Sequence, residues 1–229
     1  MGIVRRTGKI TQSSAMVEHD SKYHVDNSLF IGESYTNNTG TLNNFLDDVN
    51  CTGAGAVTPL VGGFTISSGI GTGHGTLETQ DAAKKITLST KPVTLSFRVR
   101  NVVNGAGVDR HTVLGFYEDF SIVPFAAGSS GVFFHQLADN TWLARTNRQG
   151  VDDWSSGALV IADNDILSIV AQSNRVRCYQ NGTMVMDYSD AGAIPTVSMS
   201  FGFACIATAV TVAAARQIDI ASILYNRYV

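Results

Sequence analysis

In the run Val93-Thr94-Leu95-Ser96-Phe97-Arg98-Val99-Arg100 every odd position is apolar and every even one polar. Successive side chains of an extended strand point to opposite faces, whereas a helix groups residues three and four apart. A period of two therefore requires a strand, with one row packed inward and the other facing water or a partner. Further strands are expected at 112–117, 131–136, 141–147, 158–162, 166–171, 175–180, 183–188, 196–204, 209–214 and 217–225. Their recurrence at intervals of roughly ten residues, with turn formers between, predicts a sandwich or barrel.

The sharpest local signal is Asn181-Gly182, set between the runs 175–180 and 183–188. This dipeptide tolerates positive φ at both central positions of a type I′ turn, so a tight hairpin is expected. Residues 191–215 carry no charge and are long enough to cross a bilayer as a helix. The alternation of Val197, Met199, Phe201 and Phe203 with Thr196, Ser198, Ser200 and Gly202 instead assigns the segment to sheet strands, without a membrane span. Helical periodicity is scarce; 76–85 allows one short helix and 42–49 another turn. The first sixty residues hold many polar turn formers, with short strands expected at 28–32 and 64–68. We divide the chain into an irregular arm, 1–26, and one domain, 27–229.

The chain has 229 residues, of which 15% are charged, against about 25% in ordinary soluble domains. Small neutral residues take the place of charge. A net charge of −3 leaves no electrostatic footprint for nucleic acid, and the basic clusters are Arg5-Arg6 and Lys84-Lys85. The three cysteines, Cys51, Cys178 and Cys205, fit neither a disulfide framework nor a zinc motif and read as free thiols. No apolar stretch follows Arg5-Arg6, so no secretory signal is expected, and the Asn37, Asn50 and Asn181 sequons are expected to carry no glycan.

Chemistry-bearing motifs are sparse. The run from Gly69 to Gly75 invites a phosphate-loop reading but lacks Gly-Lys-Ser/Thr, which leaves a surface loop. His19, Asp20, His24 and Asp26 hold metal-ligand types at a spacing that matches no zinc or calcium pattern. Asp47-Asp48, Glu118-Asp119, Asp152-Asp153, Asp163 and Asp165 raise the question of a glycosidase, yet adjacent strand residues point to opposite faces. No nucleophile elbow is present. We expect no catalytic residues, no cofactor and no metal. The remaining candidate is a sugar-binding patch at Trp142 and Trp154 with Arg145, Asn147, Arg148 and Asp153, where an aromatic face stacks on a pyranose. Core packing competes with that role, and is favoured for Trp142.

The run 175–185, then Ile194-Pro195, then 216–225 resembles the closing strands of concanavalin A-like (laminin G-like) jelly rolls. Such domains often pair an N-G hairpin with a late "i-D-x-i-x-l" strand, and many occur in tailed-phage structural proteins. The resemblance covers roughly 90–229 and implies an all-β, antiparallel β-sandwich; the E-x-D-x-x-E signature of the hydrolases sharing this fold is missing. With the small neutral composition it implies a non-enzymatic virion component (decoration, head-fibre or tail-associated), assembled in the host cytoplasm. Its partners are expected to be other virion proteins and copies of itself, a trimer favoured, with Arg5 and Arg6 available for docking. Apolar strands such as 204–215 would then be covered by a neighbouring subunit. The alternative is a carbohydrate- or receptor-binding module that takes a cell-surface glycan at Trp142, Arg145, Asn147 and Trp154.

Overall fold

The structure, a computed structural model, describes residues 25–31, 48–60, 63–69, 73–78, 85–103, 110–118, 120, 129–137, 139–149, 152–207 and 215–228. The alternating runs form strands of two antiparallel sheets. The first sheet runs β13 (Thr183–Tyr188), β12 (Arg175–Gln180), β11 (Ile166–Gln172), β6 (Val93–Val103), β15 (Gln217–Tyr228), β4 (Gly63–Ser67) and β3 (Ala56–Leu60), with β1 (Val25–Ile31) also paired to β15. The second runs β10 (Asp152–Ser155), β9 (Trp142–Arg148), β8 (Gly131–Gln136), β7 (Arg110–Tyr117), β14 (Ser200–Ala207), β5 (Gly73–Glu78) and β2 (Asp48–Gly53). No helix is present among the described residues. Val25 and Asp26, assigned to the arm from sequence, begin β1. Arg5, Arg6, His19, Asp20 and His24 lie outside the described residues.

The inward rows of both sheets interdigitate, with Leu95, Phe97 and Val99 of β6 meeting Leu114, Phe116, Phe134, Phe201 and Phe203 of the opposite sheet. Aromatic edges carry the contact: Phe203 lies 5.2 Å from Phe97 and 5.6 Å from Phe64, ring centre to ring centre. These edge-to-face pairs add to the burial of apolar area. The polar row of β6 departs from expectation. Thr94 and Ser96 are buried because β6 is a central strand flanked by β11 and β15, and Ser96 Oγ donates to Ser168 Oγ at 2.8 Å.

The hairpin forms as its sequence dictates. Gln180 pairs with Thr183, and Asn181 (φ 51°) and Gly182 (φ 79°) both occupy the left-handed region. Asn181 is further fixed through Oδ1, which accepts from the Ile166 amide at 2.8 Å, and Nδ2, which donates to Asp165 at 2.6 Å.

Several boundaries need correction. Residues 76–78, expected at the start of a helix, end β5, because that segment completes ladders with β14 on one side and β2 on the other; 79–84 lie outside the described residues. Asp48 and Val49, expected in a helical turn, open β2 by the same pairing. In place of a strand at 158–162 there is one bridge, Leu159 to Trp142. The strand expected from 196 begins at Ser200, after a bridge between Met199 and Ile86. No helix of the described residues is long and apolar enough to cross a membrane. Of the apolar stretch 204–215 expected to be covered by a neighbouring subunit, Ala204, Cys205, Ile206 and Ala207 are buried within a single chain; 208–214 lie outside the described residues.

The end of the glycine run, Gly73 to Gly75, lies in β5 rather than in a loop, and 70–72 lie outside the described residues. β5 runs so close to β3 and β4 that a Cβ on Gly75 would fall 2.5 Å from the Ala56 carbonyl oxygen and 2.7 Å from that of Ser67. These obstacles are backbone atoms, which cannot swing aside. Gly75→Ala is expected to cost about 1–3 kcal/mol by overpacking, seen as a lower denaturation midpoint; an unchanged midpoint would contradict the close approach.

Candidate functional site

The sequence-predicted patch is divided by strand alternation. On β9, Trp142, Ala144 and Thr146 face inward, and Trp142 is 2% exposed within the main core. Its ring is unavailable to a ligand, as core packing requires. Arg145 and Asn147 occupy the opposite row. Asn147 is buried, with Nδ2 donating to the Ser129 carbonyl at 2.9 Å and Oδ1 without a partner. Burial also lowers the Arg145 guanidinium pKa to about 10. This outward row of the second sheet is closed by a second apolar cluster comprising Val113, Tyr117, Phe120, Phe133, Ala204 and Ile206. Beside it, His111 Nδ1 and His135 Nε2 are hydrogen-bonded at 2.9 Å, with the rings stacked 5.1 Å apart. His135 is fully buried, and desolvation first, then the charges of His111, Arg145 and Arg216, hold its pKa down at about 2.

Trp154 alone of the four is open to solvent, at 38%. It stands on edge strand β10 opposite Thr146. Its indole meets Tyr188 of edge strand β13 with ring centres 5.2 Å apart and planes tilted by 38°. The pair joins the free edges of the two sheets. Next to it, residues 189–193 run across the end of β9: Thr146 Oγ1 donates to the Ala193 carbonyl at 2.8 Å, and Arg148 NH1 to that of Ala191 at 3.4 Å. The outcome is a fixed, half-open aromatic step bordered by a guanidinium and peptide carbonyls. Sequence reasoning found Trp154 and Arg148 and missed Tyr188, which carries no local mark of its role.

Of the acids weighed as glycosidase candidates, Asp163, Asp165 and Glu118 serve loops, and Asp47 and Asp119 lie outside the described residues. Asp165 accepts from the Ala162 amide, Gln180 and Asn181, Asp163 from the Val102 amide, and Glu118 from the Ser130 amide. Asn164 between the first two has φ 71°, in keeping with a turn. Cys178 and Cys205 are buried and free; burial raises both thiols, Cys205 to about 12, and keeps them protonated. Cys51 is free and exposed. Among the described residues no three His, Cys, Asp or Glu side chains converge on a point where a metal would sit.

No protein-family model and no curated protein sequence matches this chain. Solved structures do. The Emp47p carbohydrate recognition domain superposes with a TM-score of 0.62 at 12% identity, covering 93% of this chain and 100% of that one. An endo-β-1,4-glucuronan lyase from the fungus Trichoderma reesei gives 0.59 at 11%, covering 86% and 94%. A protein of unknown function from Shewanella oneidensis MR-1 gives 0.63 at 13%, covering 88% and 87%. The fold is a concanavalin A-like jelly roll. Within this jelly roll the β12–β13 hairpin and β15 are the closing strands that the sequence resemblance pointed to. At these identities the likeness concerns the fold, and function rests on the site.

Proposed function

We propose that this jelly roll is a carbohydrate-binding module, acting by binding without catalysis, with Trp154 as its stacking platform. The carrying observation is the half-exposed indole held against Tyr188, since an aromatic face fixed before binding loses little freedom when a sugar ring lies on it. Polar groups beside it, Arg148 and the exposed backbone at Ala191, suit hydroxyl recognition. The names of structural neighbours agree in kind: one is a carbohydrate recognition domain, and another, at TM-score 0.53 and 13% identity, is a botulinum neurotoxin type C structure described by its interaction with two ganglioside molecules. Catalysis is left out because Asp163, Asp165 and Glu118 are engaged by loop amides.

The virion-assembly reading took its physical support from an apolar strand in need of a covering subunit. With Ala204 to Ala207 buried inside one chain, that part of the strand needs no partner to cover it, and particle partners form no part of the proposal. On a glycan array, the wild type is expected to retain a defined subset of glycans and Trp154→Ala to lose them by about tenfold or more, while the variant stays folded with a melting temperature lowered by the lost Tyr188 contact. Equal binding by Trp154→Ala, or binding of nothing across the array, would contradict the proposal.

A further inference from the structure

The register sets Trp154 opposite Thr146 and Asp152 opposite Arg148, so Trp154 and Arg148 are diagonal neighbours on one face of the β9–β10 pair. Diagonal neighbours stand roughly 7–8 Å apart, within the span of one sugar residue and its substituents. The Arg148 guanidinium is weakly committed. Its hydrogen bond to the Ala191 carbonyl is 3.4 Å long, beyond the usual range for an N–H donor, and among the described residues the other donors of the fork have no partner. The acids around it differ in how they are held. Asp187 lies in the opposite row of β13, clamped by Arg175 through Nε at 2.8 Å and NH2 at 2.6 Å. Asp190 accepts the Gly192 amide at 2.9 Å.

A planar fork with free donors beside a stacking surface matches a planar carboxylate carried on a ring. Resting on the reading of Trp154 as a platform, we infer that the preferred ligand is an acidic glycan whose carboxylated sugar stacks on Trp154 and turns its carboxylate to Arg148. A neutral sugar fits the platform but leaves the fork unanswered.

Titration calorimetry with oligoglucuronate, oligogalacturonate and sialyllactose, each against its carboxyl-reduced counterpart, tests this. The wild type is expected to bind at least one acidic ligand about tenfold or more tightly than its reduced form, as a charge-assisted bidentate contact provides. Arg148→Gln should bring the acidic ligand to the affinity of the neutral one, and Arg148→Lys should keep part of the preference, having charge without the fork. Equal wild-type affinity for acidic and reduced forms, or a preference that survives Arg148→Gln, would overturn the assignment of Arg148 while leaving the platform standing. Absence of binding to every ligand, acidic or reduced, would overturn both.

Discussion

Phe203→Ala is expected to lower the free energy of unfolding by about 3–5 kcal/mol, the range for truncating a large buried aromatic. Phe203 is fully buried on β14 and touches rings from both sheets: Phe97 at 5.2 Å, Phe64 at 5.6 Å and Phe201 at 5.3 Å. Removing it takes away the transfer energy of the ring and the edge-to-face contacts, and opens a void that the strands cannot close, since β14 is hydrogen-bonded on both sides. For a chain of this length the loss corresponds to a fall in melting temperature on the order of 10 °C. Phe203→Leu should recover a large part of it. A loss below about 1 kcal/mol in chemical denaturation would show that the sheets do not meet at this ring.

Acidification is expected to unfold the protein through His135. Its folded pKa of about 2 lies far below the value near 6.5 of a histidine in an unfolded chain, because the buried ring cannot hold charge. Between these values the unfolded chain binds a proton that the native state refuses. Stability is therefore complete above about pH 6.5 and falls with pH, on the order of 1 kcal/mol per pH unit, until the folded pKa is reached. Exposed carboxylates act lower down. Asp139, held below the usual carboxylate range by the Thr141 amide, and Asp187, held there by Arg175, release their stabilisation only in the acid range, as pH falls through their folded pKa values. The onset near pH 6 thus separates histidine titration from that of the carboxylates. In His135→Gln the slope of stability against pH from 6.5 to 4.5 should flatten, whatever the absolute loss from disturbing the His111 contact. An unchanged slope would refute the assignment.

What could be read from the sequence was what local chemistry determines. Asn181-Gly182 sets its own turn through two positive φ angles, and the odd row of 93–99 had to be a core row because nothing else explains four apolar residues at a period of two. Burial of Thr94 and Ser96 was not legible, because it depends on β6 having neighbours on both sides. Gly75 read as loop for a similar reason: glycine marks turns locally, but here the strands carrying Ala56 and Ser67 pass where a side chain would be. At the site, Trp154 and Arg148 stood out from a polar loop, while Tyr188 lies on a different sheet and reaches Trp154 only after the jelly roll has brought β10 and β13 to the same edge. Arg145 and Asn147 misled because sequence proximity to both tryptophans conceals the alternation that turns them to the opposite face.

The chain's two tryptophans make the central claim directly measurable, since one is in the core and the other at the edge. In a nitrogen-15 NMR spectrum their indole N–H signals can be followed separately, each assigned by its Trp→Phe variant, while glycans retained on the array are titrated in. A saturable shift of the Trp154 signal with the Trp142 signal still is the predicted result. A bound glycan that leaves Trp154 unmoved, or that moves Trp142 instead, would contradict it.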